Sequence, residues 1–173
     1  DAPNKSLKIA DPALMATTIL HQNGSEWEAA HNIVAEHMLP RLTAPLGADA
    51  IRGIGDVGGR LRAWKSAGAQ LAVVTNDNRA ATLSDLHILG IDDILAAIVS
   101  ADDGLPAKPA PDGVAYIAHA LDTPASRIAV IGDTTTDLMA ARAAGAGVVI
   151  GVLSGLDSAR KLAEIADAVL PDL

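Results

Sequence analysis

Short apolar segments alternate with helix-like segments from residue 50 to the end of this 173-residue chain. The apolar segments predict strands at 70–75, 94–100, 127–132, 147–152 and 168–170. The intervening segments predict helices at 57–67, 79–89, 111–121, 137–144 and 158–166. Apolar strands that alternate with helices are typical of parallel sheets covered on both faces. We therefore expect an α/β fold with a Rossmann-like, doubly wound parallel sheet.

The region before residue 50 has a different pattern, with helices predicted at 12–20 and 25–39. Ser25 precedes the second of these helices and Glu28 follows three residues later, which is the spacing of a capping box. Pro40 and Pro45 close the region. The chain therefore predicts a short helical segment followed by an α/β core.

Composition and charge exclude several classes of partner. The formal net charge is −8 and the isoelectric point is about 4.9, which argues against nucleic acids and anionic membranes. Cysteine is absent, so the chain has neither disulfides nor thiolate chemistry, which fits a cytoplasmic location. Residues 1–9 are polar and lack the apolar stretch of a signal peptide, and no segment has the length of a membrane span.

Polar side chains follow three of the predicted strands. Thr75 and Asn76 come directly after the first strand, where they suit either a phosphoryl group or an ordinary turn and helix cap. Lys108 lies among three prolines that restrict its backbone, so it suits a phosphate or a carboxylate better than most surface lysines do. Because ligands bind at the carboxyl ends of strands in such sheets, we expect these residues to lie close together.

Asp133 and Asp137 stand at the end of another predicted strand and in the first turn of the next helix. Two carboxylates at that position suit a hard cation with oxygen ligands, such as Mg²⁺. The alternative is that Asp137 only stabilises the positive end of the helix, while Asp133 lies in a turn.

The order of these motifs resembles the haloacid dehalogenase superfamily, specifically its phosphoglycolate-phosphatase-like hydrolases. The apolar strand ending in Thr75, the Lys-Pro-Ala-Pro-Asp segment at 108–112 and the Gly-Asp-x-x-x-Asp segment at 132–137 match the second, third and fourth motifs of that family. The resemblance runs from about residue 56 to the end of the chain.

The resemblance implies a Mg²⁺-dependent phosphatase that acts through an aspartyl-phosphate. Asp133 and Asp137 would hold the metal, Lys108 and Thr75 would be catalytic, and Thr75, Asn76 and Lys108 would bind substrate. Residues 11–49 would form a small helical cap, and residues 1–10 with 50–173 the core. The expected partner is a small phosphorylated metabolite, and the protein is expected to be a monomer or homodimer.

One family motif is absent: no Asp-x-Asp-Gly-Thr, which carries the nucleophile at the end of the first, central strand, occurs in the chain. We expect that motif upstream of Asp1, because omitting a central strand would leave backbone groups unpaired on both neighbours. We also expect no base beside Thr75 that would make it a nucleophile. The alternatives are a non-catalytic protein that binds phosphate and Mg²⁺, a haloacid dehalogenase, and a receiver-like or flavodoxin-like module.

Overall fold

The computed structural model of the chain describes residues 20–38 and 51–173. The chain divides into two compact units, Asp1–Ala44 and Pro45–Leu173. This division runs close to the predicted boundary between cap and core, but the assignment of residues 11–49 as a cap stays a prediction.

The described part of the first unit is helical. Helix α1 spans Trp27–Ile33 and continues as a π-helical segment, Val34–Met38. The predicted capping box at Ser25 is wrong: the cap residue is Glu26, in extended conformation, and its side chain makes no capping hydrogen bond. The helix therefore begins one residue later than the Ser-x-x-Glu pattern implies. Most of the helix predicted at 12–20 lies outside the described residues.

The second unit alternates helices with parallel strands, as predicted. Its helices are α2 (Val57–Ser66), α3 (Arg79–Ile88), α4 (Asp112–Ala120), α5 (Thr135–Ala143) and α6 (Ala159–Ala163). Its strands are β1 (Leu71–Val74), β2 (Leu95–Val99), β3 (Ala129–Gly132), β4 (Val148–Val152) and β5 (Ala168–Leu170). Pairing is parallel throughout, and the predicted α/β fold is confirmed.

Local sequence explains where these helices begin and end. The side chains of Asp56, Asn78 and Thr134 accept hydrogen bonds from backbone N–H groups in the first turns of α2, α3 and α5. Gly68 and Gly90, which follow the C-terminal ends of α2 and α3, have φ values of 94° and 64°. Because residues other than glycine rarely adopt a positive φ, glycine suits the end of the helix at both positions.

Within the described residues the strands form two separate sheets, in the orders β1-β2 and β3-β4-β5. A cavity of about 880 Å³ is lined by residues of both β1 and β3 and also by Lys108 and Asp137. All four residues of β1 are half-buried, whereas Val149 in β4 is fully buried. Among the described residues, the single predicted sheet is therefore divided between β1 and β3.

Two hydrophobic clusters support the strands. One joins Leu86, Ile91 and Ile94 beneath β1 and β2. The other joins Leu138 and Leu162 to Val149 and two alanines, with side chains of β3 and β5 packed against it. Both clusters consist of aliphatic residues. No helix among the described residues has the length and apolar character needed to cross a membrane.

Candidate functional site

Lys108 connects the ends of the two sheets. Its Nζ atom donates a hydrogen bond to the carbonyl oxygen of Val74, the last residue of β1, at 3.0 Å. The same Nζ lies 2.6 Å from Oδ1 of Asp137, in the first turn of α5 after β3. The side chains of Lys108 and Asp137 are only 17% and 12% exposed. A largely buried ion pair therefore brings together two residues that sequence reasoning placed at the site.

Asn76 holds the loop that carries Lys108. Its Oδ1 accepts a hydrogen bond from the backbone N–H of Lys108 at 3.0 Å, and its Nδ2 donates to the Lys108 carbonyl at 3.4 Å. The next peptide bond, between Lys108 and Pro109, is cis. The Asn76 side chain thus positions the lysine loop in this structure, and substrate binding at Asn76 stays a prediction.

Asp137 is held by three groups. Its Oδ2 accepts hydrogen bonds from the Thr134 hydroxyl at 2.6 Å and the Thr134 backbone N–H at 3.1 Å, while Oδ1 pairs with Lys108. Burial raises the pKa of Asp137, but the hydrogen bonds from Lys108 and Thr134 outweigh burial and keep this pKa below its ordinary value. The carboxylate therefore stays ionised at neutral pH.

Thr75 has a neighbour that the sequence reasoning overlooked. Its hydroxyl donates to Oδ2 of Asp77 at 2.8 Å and accepts a hydrogen bond from the Asp77 backbone N–H at 3.0 Å. The expectation that no base lies beside Thr75 is therefore wrong. The Thr-Asn-Asp sequence is typical of a hydroxyl–carboxylate turn of this kind, which was the available signal.

Asp133 lies at the tip of β3, where residues 153–157 approach it closely. Its Oδ2 accepts a hydrogen bond from the backbone N–H of Leu156 at 3.1 Å, and its carbonyl accepts one from Asp157 at 3.1 Å. A Cβ atom on Gly155 would overlap the Asp133 carboxylate, so glycine is required for this approach. The sequence signal for this approach is Gly155, since the other contacts to Asp133 are made by backbone groups.

The donor atoms suit a hard cation at Asp133 better than at Asp137. Both are carboxylates, the ligand type that Mg²⁺ prefers. The hydrogen bond from Leu156 occupies one oxygen of Asp133, Oδ2. Both oxygens of Asp137 are occupied, Oδ1 by Lys108 and Oδ2 by Thr134. In the described ranges no cluster of three or more His, Cys, Asp or Glu side chains is arranged to hold a metal ion. The chain's described part thus supplies a partial set of oxygen ligands.

Fold and site together define a parallel α/β protein with a lysine and two carboxylates at its strand ends. The family model of haloacid dehalogenase-like hydrolases matches residues 4–145, most of the chain, so the chain belongs to this family. The resemblance noted in the motifs is confirmed.

Curated relatives and solved structures agree with this assignment. The chain is 34% identical over 90 residues to a phosphoglycolate phosphatase of Cupriavidus necator, covering 52% of this chain and 39% of that protein. It is 33% identical over 108 residues to a phosphoglycolate phosphatase of Neisseria meningitidis, covering 62% and 45%. The chain thus spans less than half the length of these two relatives.

A solved structure from Haemophilus somnus 129PT, described as a predicted phosphoglycolate phosphatase, superposes with a TM-score of 0.72. Its sequence is 23% identical, and the match covers 91% of this chain and 70% of that one. This likeness supports the fold.

Proposed function

We propose that the complete protein is a Mg²⁺-dependent phosphatase that hydrolyses a small phosphomonoester through an aspartyl-phosphate. The observation that carries the proposal is the largely buried ion pair between Lys108 and Asp137 at the strand ends. The second carboxylate, Asp133, lies four residues before Asp137 in the chain. Phosphoryl transfer depends mainly on positioned charges, and a lysine with two carboxylates supplies them.

Each described residue has a role in this proposal. The Lys108 ammonium group, held between Val74 and Asp137, offsets negative charge on the phosphoryl oxygens. Asn76 fixes the loop on which that charge depends. The Thr75 hydroxyl donates to a phosphoryl oxygen after turning away from Asp77, to which it donates in this structure.

Asp133 is the residue that would hold Mg²⁺ directly, and Asp137 would act through a water molecule and through Lys108. When bound, the cation offsets charge on the phosphoryl oxygens and orients the substrate. This division of roles follows from the hydrogen bonds that occupy both oxygens of Asp137.

The nucleophile is proposed to be an aspartate of an Asp-x-Asp-Gly-Thr strand upstream of Asp1. The cavity lined by β1 and β3 supports this, because an added parallel strand there would join the two sheets. The carboxylate oxygen of the first aspartate would form a bond to phosphorus as the bond from phosphorus to the ester oxygen breaks, and the second aspartate of the motif, acting as an acid, would donate a proton to the departing alcohol. Water would then hydrolyse the acyl phosphate, releasing inorganic phosphate and restoring the carboxylate.

The phosphoglycolate phosphatases among the relatives make 2-phosphoglycolate the first substrate to test. Residues 11–49 are proposed to form the cap that selects the substrate, and a cytoplasmic location would fit such a metabolite.

The proposal is tested by comparing the 173-residue chain with a version extended upstream by an Asp-x-Asp-Gly-Thr strand. We expect Mg²⁺-dependent hydrolysis of para-nitrophenyl phosphate and 2-phosphoglycolate only by the extended version. Lys108→Ala should lower its kcat by about 10²–10³-fold, because one positioned charge is lost. Lys65→Ala, which alters an exposed lysine of α2, is the matched control and should leave kcat unchanged.

Calorimetry then tests the cation ligands. Asp133→Asn should abolish most Mg²⁺ affinity, and Asp137→Asn should weaken it less. Equal Mg²⁺ binding by wild type and Asp133→Asn would refute the ligand assignment.

An extended version that is folded and binds Mg²⁺ but turns over no substrate would identify a binding protein instead of an enzyme.

A further inference from the structure

The residues from 153 to 157 form a loop, here called the Asp133 loop, whose attachment depends on a second aspartate. Oδ2 of Asp157 accepts hydrogen bonds from the backbone N–H of Thr135 at 2.7 Å and from its hydroxyl at 3.0 Å. Oδ1 of Asp157 accepts a hydrogen bond from Lys161 at 3.1 Å. The Asp157 side chain is only 15% exposed, so its two bonds to Thr135 are partly shielded from water, whereas the Lys161 side chain is 65% exposed.

These contacts tie the Asp133 loop to the start of α5. Thr135 is the first residue of that helix and lies two positions after Asp133. The N–H groups at a helix start have no partner within the helix, so an external carboxylate is a strong acceptor there. Asp157 therefore fixes the loop at one point while its own backbone and that of Leu156 contact Asp133.

We infer that Asp157 is a positioning residue for the Asp133 carboxylate. It does not contact the cation or the substrate; it holds the backbone N–H of Leu156 against Oδ2 of Asp133 and so fixes the orientation of the other oxygen, Oδ1. The inference rests on the proposed function, in which Asp133 is the direct ligand of Mg²⁺. Losing the Asp157 carboxylate frees the loop, and Asp133 then samples orientations that bind the cation poorly.

Amide hydrogen exchange measured by NMR tests this without any metal. In Asp157→Ala, the Leu156 amide should exchange at least about ten-fold faster than in wild type, because its hydrogen bond to Asp133 opens more often. Asp157→Asn should restore most of the protection, since its amide oxygen can accept the same two bonds from Thr135. Thr135→Val, which removes only the hydroxyl donor, should give a smaller acceleration and serves if Asp157→Ala folds poorly.

Asp167→Ala is the matched control. Asp167 also accepts a backbone N–H, that of Val149 at 2.8 Å, and pairs with Arg142 at 2.6 Å, but it lies at the opposite end of β4. It should lower the thermal stability to a similar extent and leave exchange at Leu156 unchanged. Equal acceleration at Leu156 in both alanine variants, or none in Asp157→Ala, would overturn the inference.

Mg²⁺ titration provides the second readout. Affinity should fall at least about five-fold in Asp157→Ala and stay at the wild-type level in Asp167→Ala. Faster exchange at Leu156 with unchanged Mg²⁺ affinity would overturn the positioning role. If the version extended by the Asp-x-Asp-Gly-Thr strand binds no Mg²⁺, the proposed function fails, while the exchange comparison still decides whether Asp157 holds the loop against Asp133.

Discussion

The two halves of the second unit differ in how completely their hydrophobic clusters are buried. In the half containing β1 and β2, the buried cluster retains some exposure, with Leu86 at 7% and Ile91 at 6%, and exposed ion pairs such as Arg62–Asp93 surround it. In the half containing β3 to β5, Leu138, Val149 and Leu162 are all at 0%. The better-packed half carries the two carboxylates of the site. This difference indicates that Asp133 and Asp137 are placed by a core that is more completely buried than the one beneath the Thr75 side.

The largest effect should come from cavity formation in the better-packed half. Leu138→Ala should lower the free energy of unfolding by about 3–5 kcal/mol, because its side chain is fully buried between α5 and the sheet. Leu86→Ala should cost about 2–3 kcal/mol, since that side chain already has some contact with water. Urea unfolding of both variants measures the difference. Equal costs would remove the distinction between the two halves.

A second test concerns the ion pair that joins the halves. Lys108→Met should destabilise the chain by on the order of 3 kcal/mol, because it leaves the largely buried Asp137 carboxylate without its cation. Arg62→Met breaks a pair whose side chains are 48% and 61% exposed, and should cost less than about 1 kcal/mol. Chemical unfolding compares the two, and a greater loss in Arg62→Met would show that the first half depends on its surface pairs more than we infer.

The smallest expected effect is a pH dependence in the first half. Hydrogen bonds from Arg79 and from the Ser100 backbone lower the pKa of Asp103 from 3.8 to about 2. Because the folded state has the lower pKa, this stabilisation is present above pH 4 and is lost as the pH falls towards 2. Thermal unfolding should show wild type more stable than Asp103→Asn at pH 6, with the gap closing near pH 2. The difference in thermal stability between wild type and Arg79→Met should also shrink near pH 2. A difference that does not change with pH would contradict the role assigned to Asp103.

Much of the fold could be predicted because local signals and the global arrangement agree. Strand β3 ends at Gly132 as predicted, and Asp137 falls in the first turn of α5. The capping box at Ser25 was predicted wrongly because the spacing of two residue types does not determine the backbone angles that a cap needs. The absence of the Asp-x-Asp-Gly-Thr motif pointed to a gap in the sheet, but which strands flank that gap depends on long-range pairing, which local sequence patterns do not encode.

The site was only partly predictable for a similar reason. Lys108, Asp133 and Asp137 were found because each follows a strand and belongs to a recognisable motif. The contacts that hold them were missed: Asn76 on the Lys108 backbone, and Asp157 on Thr135. These contacts join segments 22 or more residues apart, so local sequence patterns do not reveal them.

The Asp133 loop also determines which of its positions can vary over evolutionary time. Leu156 contributes its backbone N–H to Asp133, and the residue is 88% exposed. Many side chains at 156 would therefore leave the hydrogen bond intact, whereas Gly155 is restricted by the Asp133 carboxylate. Homologous sequences could diverge at 156 while keeping glycine at 155, and a mutational library made at these two positions should recover broad variation at one and almost none at the other.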